Sequence, residues 1–176
     1  IGAVCRWEFP NGKEIVPAIP TDRGWKWAAM DAPRPLYRLR QLAEDPRQVL
    51  VVEGEKKADA ASAVLALAVT TWSGGAKAWA RTDWTPLKGR KVVLWPDNDK
   101  PGREAMQAIG RLIEGEVKII DPADVPAKWD VGDAIQDGWD RARIIEYAKR
   151  HTRPWVAEPD NVLALPGVIR PKAGAD

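Results

Sequence analysis

Three short apolar runs constrain this chain more than any other feature: VLVVEG at 49–54, KVVLW at 91–95 and EVKIID at 116–121. Each is too short for a core helix, and the first two lack the apolar–polar alternation of a strand with one wet face. Continuous apolar strands of this kind are buried on both sides. Between them lie stretches of good helix formers, KKADAASAVLALA and PGREAMQAIGRLIEG, with a further strand-like run, AVTTW, after the first. Parallel strands need crossover connections, and helices supply them. The pattern predicts an α/β fold: a mostly parallel open sheet with helices packed on its faces. On the helices, Ala60, Ala61, Val64 and Leu67 form one expected apolar stripe, and Ala105, Ile109, Leu112 and Ile113 the other.

Open α/β sheets bind ligands beyond the carboxyl ends of their strands. Here those ends carry acids. The first run stops on Glu53, and KVVLW runs through Pro96 into Asp97 and Asp99, with Pro101 and Gly102 behind them. An Asp before a proline-led helix is also an ordinary N-cap. If the two strands are neighbours, however, three carboxylates meet on one rim, and their repulsion calls for a cation. With one Cys and one His in 176 residues, hard oxygen ligands dominate, which points to Mg²⁺ or Mn²⁺ rather than zinc. The single histidine, His151, reads as a surface residue at the end of the basic helix RARIIEYAKRH.

The flanks divide the chain into segments. Residues 1–44 read as a small β unit (VCRWEF, the turn PNGK, EIVPAI, then TDRGWKWAAM) followed by a proline-punctuated connector and a short helix that Pro46 stops. Residues 45–140 hold the α/β core, 141–151 a C-terminal helix, and 152–176 an extended tail or linker. The start without Met, inside a strand-like run, suggests a piece of a longer protein. A formal net charge of +2 leaves nucleic-acid binding to local clusters. No apolar stretch reaches membrane-span length, and the lone Cys5 suits a reducing cytoplasm. Most of the ten tryptophans are expected in or near the core.

Together, VVEGEKKAD and VVLWPDNDKPGREAM resemble the TOPRIM domain, the metal-binding core shared by bacterial-type DNA primases, type IA and II topoisomerases and some nucleases. Glu53-Gly54 fits its first motif, Gly74-Gly75 its middle turn, and Asp97-x-Asp99 with Gly102 its last. The Asp-x-Asp-x-x-Gly-x-x-Ala spacing is closer to primases, and KWDVGDAIQDG stands where primases carry a later acidic motif, here Asp130 and Asp133. The wording EGEKKAD is similar to primase-like domains of phages and mobile elements, which are often joined to a helicase or ATPase. One departure is Lys57, where cellular primases carry a further acid. The resemblance implies a nucleotidyltransferase that makes short primers on single-stranded DNA from nucleoside triphosphates. Glu53, Asp97 and Asp99 would be catalytic, and these three with Asp130 and Asp133 would hold Mg²⁺ or Mn²⁺. Lys56, Lys57, Gly74, Gly75, Lys77, Lys100 and Arg103 lie close to that site and suit phosphate contacts. Arg34, Arg38 and Arg40 form a basic strip, either a template guide or a solvated connector. A nuclease built on the same carboxylates, and a non-catalytic module that regulates an attached ATPase, are the alternatives.

Overall fold

The structure is a computed structural model that describes residues 2–75 and 77–157. Two sheets organise it. The first is antiparallel: β1 (Ala3–Phe9), β2 (Gly12–Thr21) and β3 (Gly24–Trp27), in that order. Its first turn, Pro10-Asn11, falls within the PNGK stretch as the sequence predicts, with Phe9 paired to Gly12. One face of this sheet carries Trp7, Phe9, Trp25 and Trp27, all well exposed, with Trp7 and Trp27 edge to face at 5.5 Å. The expectation of packed tryptophans fails here, because three strands without a covering layer bury neither face. It holds for Trp72, Trp84, Trp95 and Trp129, which are buried.

The second sheet holds β4 (Val49–Val51), β5 (Ala68–Thr70), β6 (Lys91–Leu94), β7 (Glu116–Ile120) and β8 (Thr152–Pro154) in the order β5-β4-β6-β7-β8. All pairs are parallel except β7 with β8. Residues 152–154, expected as the start of a tail, instead add this antiparallel edge. The remainder of that segment beyond residue 157 lies outside the described residues.

Five helices surround the sheet: α1 (Leu39–Glu44), α2 (Glu55–Leu65), α3 (Lys100–Gly110), α4 (Val131–Gln136) and α5 (Arg141–His151). The strands alternate cleanly between two cores. Val49, Val51, Val92 and Leu94 pack with Leu42, Met106 and Ile109 on the α1 and α3 side. Leu50, Val52, Val93 and Trp95 pack with Ala58, Ala61, Ile144 and Tyr147 on the α2, α4 and α5 side. Among the described residues, no helix is long and apolar enough to cross a membrane.

Two helix stripes differ from expectation. On α2 the buried residues are Ala58, Ala61 and Leu65. The helix closes at Ala66, whose φ of 50° is left-handed, so Leu67 falls beyond its end. On α3 the helix stops at Gly110, the 3.6-residue period lapses, and Leu112 is 45% exposed. His151 also departs from the surface reading: its ring stacks on Tyr147 at 4.2 Å, and Nε2 stands 3.7 Å from Asp124.

Ile109 is fully buried between α3 and the sheet. Ile109→Ala is expected to cost about 2–5 kcal/mol, and Leu112→Ala about 0.5 kcal/mol or less. Urea unfolding of the two variants beside the parent measures both.

Candidate active site

The strand order creates the site. From β4 the chain crosses through α2 to β5 on one side, then returns to lay β6 on the other. The crevice between the ends of β4 and β6 is therefore a topological switch point, the place where such sheets bind ligands. Glu53 sits at the end of β4 and Asp97 just past the end of β6.

Each acid is fixed by its own local structure. Glu53 precedes a tight turn at Gly54, whose φ of 93° favours glycine. The Gly54 amide donates to the buried Thr71 hydroxyl at 2.9 Å, which ties the turn to the chain beyond β5. After β6, Asp99 caps α3, its Oδ1 accepting the Gly102 amide at 2.8 Å. Gly102 is required for space: a Cβ there would lie 2.9 Å from the Asp97 carbonyl oxygen and 3.1 Å from the Asp97 Cβ. Asp130 caps α4, its Oδ1 accepting from the Gly132 and Asp133 amides, and Asp133 completes the capping box by accepting from the Asp130 amide.

The capping role weighed for the DxD motif thus holds at Asp99, while Asp97 faces the crevice. Asn98 has a role that no sequence signal announces. Its side-chain amide donates to the Val125 and Pro126 carbonyls at 2.7 and 3.0 Å, and its backbone exchanges hydrogen bonds with Lys128 and Trp129. It pins the loop that delivers Asp130 to the rim.

At the centre stands Lys57, one turn into α2. Its ammonium lies 2.6 Å from Asp97 Oδ2 and 2.6 Å from Asp130 Oδ2, with all three side chains largely shielded. Burial opposes the Lys57 charge, but the two carboxylates outweigh it and hold the ammonium above its ordinary value. Burial pushes Asp97 up to about 6, against the pull of Lys57. Glu53 is pushed up to about 7, first by burial and then by the neighbouring Asp97, with Asp99 and Asp130 adding to it. The structure therefore brings Glu53, Lys57, Asp97, Asp99 and Asp130 into one electrostatic cluster. Asp133 is engaged in its helix cap.

The set expected to hold Mg²⁺ or Mn²⁺ does not fit as arranged. Among the described residues no three His, Cys, Asp or Glu groups converge as a cation site. Asp130 has both oxygens engaged, Asp99 and Asp133 accept backbone amides, and the position between Asp97 and Asp130 belongs to Lys57.

The other expected phosphate contacts separate into free and engaged groups. Lys56 and Lys77 are exposed. Lys100 is exposed and 3.7 Å from Glu104. Arg103 donates to Asn98 Oδ1 at 2.8 Å. Gly74 and Gly75 both have positive φ, and Ser73 beside them donates to Glu55 at 3.0 Å, drawing this loop to the start of α2. The basic strip divides: Arg34 leaves the surface, while Arg40 is solvated as a connector residue would be. Arg34 is buried, donating to the Met30 and Ser73 carbonyls under the glycine loop, while Arg38 pairs with Asp59 and Arg40 with Glu44.

Known structures share this arrangement of elements. A chain of the bacteriophage T7 lagging-strand DNA polymerase assembly with primase domains bound to an RNA/DNA hybrid and dTTP matches at a TM-score of 0.56 and 19% identity, over 88% of this chain and 79% of that one. The DNA primase domain from Pseudomonas aeruginosa matches at 0.53 and 14%, over 86% and 51%. The DnaG catalytic core matches at 0.52 and 16%, over 88% and 54%. The fold is that of a primase catalytic core. The chain spans about half the length of the Pseudomonas and DnaG primase chains. No protein-family model matches it. Slow-type myosin-binding protein C from Homo sapiens is 28% identical over 149 residues, 85% of this chain but 10% of that protein. A likeness so thin over a tenth of a protein assigns no family, and the all-parallel core pairs of the primase fold carry the comparison instead.

In this primase fold the Glu53 carboxyl has an ordinary value of 4.5 when unfolded and one of about 7 in place. Its contribution to stability is full below the unfolded value and lost as the pH rises through the folded one. Glu53→Gln removes that dependence. In EDTA, the variant is expected to gain on the parent by about 1–2 kcal/mol between about pH 5 and pH 8, a figure reduced for solvent screening. Urea midpoints across that range measure it.

Proposed function

We propose that this chain is the core of a DNA primase, a nucleotidyltransferase that joins nucleotides on a single-stranded DNA template during replication of a phage or mobile element. The observation that carries the reading is the rim of Glu53, Asp97 and Asp99 at the switch point of a primase-core fold. In primer synthesis the 3′-hydroxyl attacks the α-phosphorus of a triphosphate, the hydroxyl gives up its proton, and pyrophosphate leaves. Glu53 is assigned the acceptor for that proton, since it lies half-buried at the crevice. Lys56, Lys77 and Lys100 provide exposed cations nearby for the triphosphate and template. If Mg²⁺ or Mn²⁺ accompanies the triphosphate, Glu53 and Asp97 are the acids that would meet it, and it would supply neutralisation of phosphate charge. A helicase or ATPase, in the same or a partner chain, and the cytoplasm complete the reading.

One observation favours a second reading, a TOPRIM-like module that regulates an attached ATPase without chemistry of its own. Lys57 fills the space between two of the acids, and a locked rim serves binding better than turnover. Labelled-nucleotide incorporation on single-stranded templates, with Mg²⁺ or Mn²⁺ supplied, separates the two. The primase reading expects incorporation that Asp97→Asn lowers by about 100-fold or more, with Arg40→Ala near parental activity. Equal incorporation by Asp97→Asn and the parent defeats it, and silence from both supports the module.

A further inference from the structure

We infer that Lys57 is the resident cation of this rim: its ammonium replaces a divalent ion between Asp97 and Asp130 and shuts metal out of that position. The inference is independent of the reaction the rim performs. Its first support is geometric. The ammonium makes two contacts of 2.6 Å to carboxylates from different elements, one past β6 and one at the start of α4. An opposite charge placed between two acids is what a bound cation would otherwise supply.

The second support is that the neighbourhood is shaped for a lysine. The Lys57 stem runs over Gly132, where a Cβ would lie 3.3 Å from Lys57 Cγ and 2.9 Å from Asp130 Oδ1. Gly132 is the second residue of α4 and has no positive φ to explain it. A side chain there would crowd the stem and the carboxylate together. The third support is the state of Asp130. Its Oδ1 already takes two amides and its Oδ2 takes Lys57, so no lone oxygen faces an arriving metal. Sequence alone placed Lys57 among phosphate contacts, but an ammonium shared by two acids is committed inward.

Mn²⁺ alone, followed by electron paramagnetic resonance and thermal unfolding of the full chain, tests this. Lys57→Met keeps the stem and drops the charge. It is expected to bind Mn²⁺ at least about tenfold more tightly than the parent, and adding Asp130→Asn is expected to abolish that gain. Lys57→Arg keeps the charge and is expected to bind Mn²⁺ no better than the parent. Equal Mn²⁺ affinity in parent and Lys57→Met overturns the inference, as does a gain that survives Asp130→Asn. If Lys57→Met does not fold in EDTA, Mn²⁺ is expected to restore folding. Failure to restore it, or tight Mn²⁺ binding by Lys57→Arg, counts against the resident cation.

Discussion

The ion triad of Lys57 with Asp97 and Asp130 joins three parts of the chain, of which only the Asp97 and Asp130 segments also share backbone hydrogen bonds, through Asn98. Lys57 comes from α2, Asp97 from the end of β6 and Asp130 from the start of α4. Without a cation, the two acids would repel across the crevice, and α4 would be held there only by its core residues and the Asn98 hydrogen bonds. Desolvating such a group is costly, and it is offset here by the two amides that fill Asp130 Oδ1. Breaking a fully buried pair by deleting one partner costs about 3–5 kcal/mol. The partial exposure of Lys57 brings this triad below that range. The cluster is thus a structural joint as well as a chemical site, and the two roles use the same atoms.

Much of the fold was legible because its signals are local. VLVV and KVVLW read as strands buried on both faces, and the helices between them predict a parallel sheet; that the two are neighbours was open in the sequence and is supplied by the structure. The helix stripes were less legible. Their phase depends on where each helix starts and stops. A left-handed residue at Ala66 and a stop at Gly110 decide that, and neither belongs to the apolar period. β8 was invisible because a three-residue edge strand is defined by its partner, β7, rather than by its own composition.

The site divides along the same line. Glu53, Asp97 and Asp99 stood out because acids at strand ends are rare enough to notice, and the switch-point rule says where they meet. The partner of those acids did not stand out. Lys57 read as a phosphate contact, and only the placement of α4 against α2 turns it inward. Asn98 and Arg34 were missed for a related reason. An Asn between two Asp reads as turn chemistry, and an Arg in PRPLYRLR reads as surface charge. Each instead satisfies part-buried carbonyls from segments distant in sequence. Long-range hydrogen bonds of this kind leave no periodic trace.

Charge balance at the rim bears on how any metal would arrive. Glu53, Asp97, Asp99 and Asp130 contribute four acids against the single ammonium of Lys57. Burial and the neighbouring Asp97 raise Glu53 to about 7, which tempers that excess near neutrality, and a cation at the rim would draw the proton off again. Lys57 already holds the position between Asp97 and Asp130, so an arriving ion would meet Glu53 rather than that gap. A nucleotide would bring negative charge of its own, which exposed cations such as Lys56 and Lys100 would have to offset.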